Sequence, residues 1–337
     1  MKYFKSTVIF ILCITSFKTY SQYTDVINSN RPGVSRSVFS VGTNVLQFEI
    51  GPYIMSEKRT PFPNYDISGF GVDFTARYGL LWEELELNIE GTYQNDTKTS
   101  FSSTGIPTED PRSNFKFLTL GAKYLLYDPY KNSENDKPNL YSWKANHRFK
   151  WSSLIPAVSV YAGANYDTKN NPYTAQGIEG FSPKVMIATQ NNFAGGWVFV
   201  VNLIKDRIGT DQSDFQYILT LTHSFSPKWV IFGETQGIQS DFYADNLFRF
   251  GGAYLWSKDF QLDTALTFNT KDTPSVFSVN FGASYRFDFH KDKEIDSNEN
   301  GTSAKDERNR RNRRQRKTTD VIEEYNKKHK RKKQDFN

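Results

Sequence analysis

The chain has 337 residues, and past the first twenty no apolar run is long enough to form a spanning helix, which excludes a helical membrane protein. Aromatic residues are abundant, with 28 Phe and 19 Tyr in a chain only 37% hydrophobic, a mixture that half-buried strands produce and helical globules rarely do. The formal charge of +5 is unevenly placed: residues 291–337 hold 16 Lys and Arg against 10 Asp and Glu, whereas 22–290 hold 23 against 27, so the basic character belongs to the tail.

In chain order, Lys2 and Lys5, an apolar stretch over 8–14 and the small residues Thr19 and Ser21 read as an export signal over 1–21, cut before Gln22. The single cysteine, Cys13, lies inside it and follows the large Leu12, a poor context for lipid attachment. The mature chain is therefore expected to carry no disulfides and no thiol chemistry. Residues 22–43 are polar and precede the first strand, as a periplasmic or plug segment.

The stretch "GFGVDFTARYG" sets Phe70, Val72, Phe74, Ala76 and Tyr78 on one parity and Gly71, Asp73, Thr75, Arg77 and Gly79 on the other. The next, "ELELNIEGTY", repeats the alternation, which a strand segregates automatically and a helix cannot. The same rule predicts twelve strands: 44–54, 69–79, 82–93, 115–126, 153–163, 182–192, 197–205, 214–225, 229–237, 246–256, 259–269 and 276–287. Twelve is even, as closed bacterial barrels require, and about ten residues at ~3.3 Å each, tilted near 45°, cover an apolar band of ~25 Å. The predicted fold is an all-β, twelve-stranded antiparallel transmembrane barrel over 44–289, with both ends on the periplasmic side of a Gram-negative outer membrane. Short inner turns alternate with longer outer loops, except at 127–152, where either the strand count slips or a periplasmic insertion is present. Trp82, Trp151, Trp197, Trp229 and Trp256 fall near strand ends, where an interfacial girdle puts them. The competing architecture is a soluble antiparallel sandwich with aromatic core faces.

The second parity points into the lumen. It carries Glu49, Asp73, Arg77, Glu84, Glu86, Asn88, Glu90, Lys123, Glu234, Asp263 and Arg286. Carboxylates so dense favour polar or cationic solutes in a confined space, unless they merely fill a polar, internally paired interior. Twelve strands lie between the eight that side chains can fill and the sixteen that leave an open channel, so a narrow or plugged pore is expected. Catalysis is not: of the four histidines, His147 lies in the long inner link, His223 near an inner strand end on the lipid-facing parity, and His290 and His329 in the tail. No metal-ligand spacing or nucleotide fingerprint appears, so neither metal nor cofactor is expected.

The stretch "SNRPGVSRSVFSVGTNVLQFEIG", with Arg31, Pro32, Ser35, Gln47, Glu49 and Gly51, resembles the start of a family of outer-membrane barrel transporters named for the phenol meta-cleavage pathway. Asn30 stands where that family has Asp, and the resemblance continues through "VIFGETQG" with Glu234 and "FQLDTALTFN" with Asp263. It implies a barrel over most of 24–287 that passes small aromatic compounds; the link 127–152 and the tail depart from it. The last strand, "NFGASYRF", sets Asn280, Gly282, Ser284 and Arg286 inward and Phe281, Ala283, Tyr285 and Phe287 toward lipid. Asn280, Gly282, Tyr285 and Phe287 resemble the signal by which the barrel-assembly machinery recognises a final strand.

Residues 290–337 have too few large apolar groups to bury a core, so a disordered or partly helical periplasmic tail is expected. Export argues against nucleic acid as the partner of "ERNRRNRRQRK" and leaves an acidic periplasmic protein or the inner face of the membrane. Two functions follow: a channel for small solutes whose inward carboxylates set selectivity, or a non-transporting scaffold whose tail binds a partner.

Overall fold

The computed structural model describes residues 26–289 apart from 62, 103–105, 131–153 and 242. Twelve strands follow one another: β1 (Val45–Arg59), β2 (Tyr65–Gly79), β3 (Leu85–Phe101), β4 (Pro107–Tyr127), β5 (Ala157–Asp167), β6 (Gly180–Phe193), β7 (Trp197–Asp206), β8 (Asp214–Ser224), β9 (Trp229–Ser240), β10 (Ala244–Ser257), β11 (Phe260–Asn269) and β12 (Ser275–Asp288). Each pairs antiparallel with the next, and β12 closes on β1. Closure satisfies backbone groups that would find no water in hydrocarbon. The export signal, the tail and most of the link 127–152 lie outside the described residues, as do His147, Trp151, His290 and His329.

The period of two separates the faces. On β1, Gln47 and Glu49 are buried while Phe48 and Ile50 are about half exposed, an inside-out arrangement. Phe70, Ile89, Leu120, Ile187, Leu203, Phe250 and Phe281 are likewise exposed on their strands and form an apolar belt around the barrel. Trp197 and Trp229 stand at inner strand ends, and the ring of Trp197 stacks on His223 at 4.1 Å. The seam follows the same rule: Gln47 is opposite Arg286 and Glu49 opposite Ser284, while Phe48 is opposite Tyr285 and packs edge-on against Phe287.

The inner turns are short. Between β6 and β7, Gly195 and Gly196 take φ of +81° and +77°, and a Cβ on Gly196 would meet the Ser224 carbonyl at 2.8 Å, so this turn admits no larger residue there. β3 begins at Leu85 rather than 82, because residues 80–84 form a longer turn, closed where Leu80 N donates to the Leu85 carbonyl; Glu84 therefore sits in that turn, buried. β4 ends at Tyr127 and β5, paired with it, begins at Ala157, so the strand count does not slip.

The outer ends of β1 to β4 are longer than periodicity predicts, and much of 55–68 and 94–114, expected as loops, is strand. Apolar alternation stops where lipid stops; beyond it both faces are wet, and Thr, Ser and Tyr continue the ladder without the pattern. β4 gains β5 as its second neighbour only from Thr119, which leaves Pro107–Leu118 a strand edge. Asn171 Nδ2 and the Tyr173 hydroxyl donate to the carbonyls of Phe115 and Arg112, and Pro107, Glu109, Asp110 and Pro111 blunt the rest.

Inside, Tyr161 lies across Gly121 of β4, where a Cβ would collide with its ring. Gly121→Val is expected to unseat that ring at a cost of about 1–3 kcal/mol. The measurement is the temperature at which the folded band is lost in heat-modifiability gels, and an unchanged temperature would show the ring is not held there.

Candidate functional site in the barrel lumen

Residues 26–44 form neither helix nor strand, so their backbone groups need partners elsewhere. They find them on the inward faces of the strands. Ile27 N donates to the Lys258 carbonyl in the turn between β10 and β11, and Asn44 N donates to the Gly79 carbonyl at the inner end of β2. Both ends of the segment are thus at the inner rim, and the residues between cross the lumen.

The crossing is made of named contacts. Val34 N and Ser35 N donate to the Glu234 carboxylate on β9 at 3.1 Å. Arg36 exchanges two backbone bonds with the Asn202 side chain on β7, 2.6 and 3.0 Å, and its guanidinium pairs with Glu90 on β3 and lies 4.5 Å from the centre of the Tyr161 ring. Val38 N meets Gln190 on β6 and Val41 N meets Glu86 on β3. The Val38 side chain is fully buried in a socket of Leu125, Ala157, Met186, Ala188, Ile204 and Ile218, all inward residues of β4 to β8. On the other side of the lumen, Ser29 Oγ is 2.8 Å from Ser284 Oγ, and the Arg31 guanidinium pairs with Asp263 at 3.1 Å and with Asn280.

Beneath the segment lies a charge cluster. Arg77, fully buried, grips Glu86 with two donors at 3.0 and 2.9 Å and reaches Glu49 at 3.3 Å, while Lys123 meets Glu86 at 3.2 Å. Two cations and two carboxylates balance, and the remaining donors turn to the segment. Arg77 donates to the Asn28 carbonyl at 2.7 Å, and Lys123 to those of Ser37 and Phe39, each at 2.9 Å. Charge-assisted bonds of this kind are about twice as strong as neutral ones.

Toward the outer mouth a second tier pairs Arg112 with Asp96, Arg207 with Asp167, and Lys184 with both Asp206 and Glu90. The loop 168–179 turns inward there, and Tyr173 lies under the Arg112 guanidinium, 5.3 Å from ring centre to charge. Burial, with the Asp96 carboxylate adding to it, pushes the Tyr173 hydroxyl above the ordinary phenol range, so it stays a donor to the carbonyls of Gln94 and Arg112.

The structure sets Glu49, Asp73, Arg77, Glu86, Glu90, Lys123, Glu234, Asp263 and Arg286 on inward positions of seven strands. Glu234 also pairs with Arg249 at 3.1 Å and accepts from Thr220, and Asp73 accepts from Thr92 and Asn280. Arg286 stands apart at the inner rim with Asp259 and Asp288. Periodicity alone did not single out Gln190, Asn202 or Tyr161. The signal available was inverted patterning: in "MIATQNN" and "VFVVNLIKD" the inward parity mixes apolar residues with amides, as a wall that contacts protein would.

The family described as "Putative MetA-pathway of phenol degradation" matches over residues 29–287. Solved structures are similar at low identity. An outer membrane channel from Pseudomonas putida F1 is 12% identical, with 77% of this chain and 100% of that one covered and a TM-score of 0.47. The transport unit of the autotransporter AIDA-I from Escherichia coli is 10% identical over 78% and 93%, TM-score 0.46. A deltaS2S3 mutant of the TodX monoaromatic hydrocarbon channel is 11% identical over 74% and 91%, TM-score 0.42. No curated protein matches the chain.

Proposed function

This chain belongs to the family described by the MetA pathway of phenol degradation, and from that premise we propose that it is an outer-membrane channel for small solutes, closed in its inner half by residues 26–44. The observation that carries this reading is the crossing itself: one irregular segment, with both ends at the inner rim, bonded to inward residues of β1, β2, β3, β4, β6, β7, β9, β11 and β12. The family description supports small aromatic compounds as the solute class.

The inward carboxylates have two tasks on this reading. With the segment in place, Glu49, Glu86, Glu90, Glu234 and Asp263 hold it through its backbone donors and its two arginines. With the segment displaced, Arg31 and Arg36 leave the lumen, and the acidic residues they covered favour cations over anions. The full chain in planar bilayers is expected to conduct, and Glu90→Gln to lower the cation-to-anion permeability ratio by about twofold, one charge among several in the confined space. Silence at every voltage, in the wild type and in a form lacking the segment, would end this reading.

A further inference from the structure

The place where Arg31 rests is a formed recess in the barrel wall. Its floor is two glycines on neighbouring strands, Gly51 of β1 and Gly282 of β12; a Cβ on either would collide with the Arg31 guanidinium. Across the ladder each glycine is directly opposite a carboxylate, Gly51 opposite Asp73 and Gly282 opposite Asp263. Asn280 links the two: its amide oxygen accepts from Arg31 and its amide nitrogen donates to Asp73 at 3.2 Å. The Asp263 side chain is fully buried, and its second oxygen, Oδ2, has no hydrogen-bond partner among the described residues; nor has Arg31 Nε. Two carboxylates thus stand around one guanidinium, and the occupant leaves donor and acceptor capacity unused.

Removing the occupant leaves a flat slot, open to the lumen, floored by peptide rather than side chain and rimmed by two carboxylates and an amide oxygen. A planar cation with several in-plane donors matches that shape and charge; a compact ammonium fills only part of it. We propose that this recess is a binding site for small organic cations bearing a guanidinium or amidinium group, and that such a solute opens the channel by taking the place of Arg31. The proposal rests on the channel reading above for its second half only. Arg31 is tethered by its own chain, held by the Gln261 side chain on its carbonyl and by Ser29 and Ser284, so a free competitor loosens one anchor of the segment at a time.

Methylguanidinium is the probe and methylurea, its neutral isostere, the control, each at about 10 mM, a range suited to weak single-site binding. In bilayers containing the full wild-type chain, methylguanidinium is expected to raise conductance saturably, about fivefold or more, and methylurea is not. In Arg31→Ala, methylguanidinium should restore lost thermal stability by refilling the slot, and Arg31→Ala with Asp263→Asn should lose that rescue. The wild-type measurement needs no variant to fold. No saturable effect on either readout, or an equal effect of methylurea, overturns the proposal. Thermal rescue without a conductance response, where a segment-deleted form conducts, overturns the opening role and leaves the channel reading standing. Absence of conductance in every form is the distinct failure of the channel reading, and it takes the opening role with it.

Discussion

Deleting residues 28–41 is expected to raise the conductance of the barrel at least about tenfold, while the folded band on heat-modifiability gels persists. The deleted stretch holds no strand and makes no ladder bond, so the twelve pairings that close the barrel are untouched. It does hold the residues that cross the lumen, and a charge-assisted hydrogen bond contributes about 1.5–3 kcal/mol, where about 1.4 kcal/mol is a factor of ten in population. Losing the Glu90 pair and the Tyr161 contact through Arg36→Ala should therefore shift the closed state by about tenfold, a smaller effect of the same sign. The complementary experiment locks the segment. Ser29 Oγ and Ser284 Oγ are 2.8 Å apart, and the only cysteine in the sequence is Cys13, so Ser29→Cys with Ser284→Cys can be joined without competition from the barrel. Oxidation should hold conductance at its closed level, and reduction should release it. Equal conductance of the wild type and the deleted form would show that these residues do not obstruct passage.

Barrel architecture was legible because hydrocarbon imposes a rule on single strands: each must present an apolar face of fixed length, so Phe70 to Tyr78 or Phe281 to Phe287 declares its register without knowledge of its neighbours. The rule fails where hydrocarbon ends. Gln94 to Phe101 and Pro107 to Asn114 read as loop because neither of their faces keeps an apolar stripe, yet they extend the ladder of β3 and β4. Residues of the lumen were legible in position and not in partnership. Parity put Glu86, Arg77 and Lys123 inward, but their spacing in sequence carries nothing about which carboxylate meets which cation across strands. Least legible was the seat of the inner segment. Its local sequence, Asn, Ser, Gly, Val and Arg without period, is that of any solvated linker, and only the apolar inward residues Leu125, Met186, Ile204 and Ile218 asked for a partner such as Val38. A pattern that violates a polar interior is the trace a lumen-filling segment leaves on its wall.

The largest stability effect should come from Arg77, the one residue that touches both wall carboxylates and the segment. Arg77→Met fits an unbranched chain of similar length into the space, so packing changes little, but Glu49 and Glu86 keep only the charge of Lys123 between them. Stranding a buried charge in this way costs about 3–5 kcal/mol. Urea unfolding in detergent, followed by tryptophan fluorescence, should show that loss as an earlier midpoint with an unchanged slope. Adding Glu49→Gln removes the stranded charge and leaves Lys123 paired with Glu86, so the double variant should be more stable than Arg77→Met alone. Rescue by a second substitution at the same cluster is the signature of charge balance rather than of lost volume; a purely additive loss would mean that Arg77 acts by filling space. The two variants should still differ from the wild type in conductance, because neither restores the donors that Asn28 and Phe39 lose from their carbonyls. Stability recovered with conductance still raised would separate what the cluster does for the barrel from what it does for the segment above it.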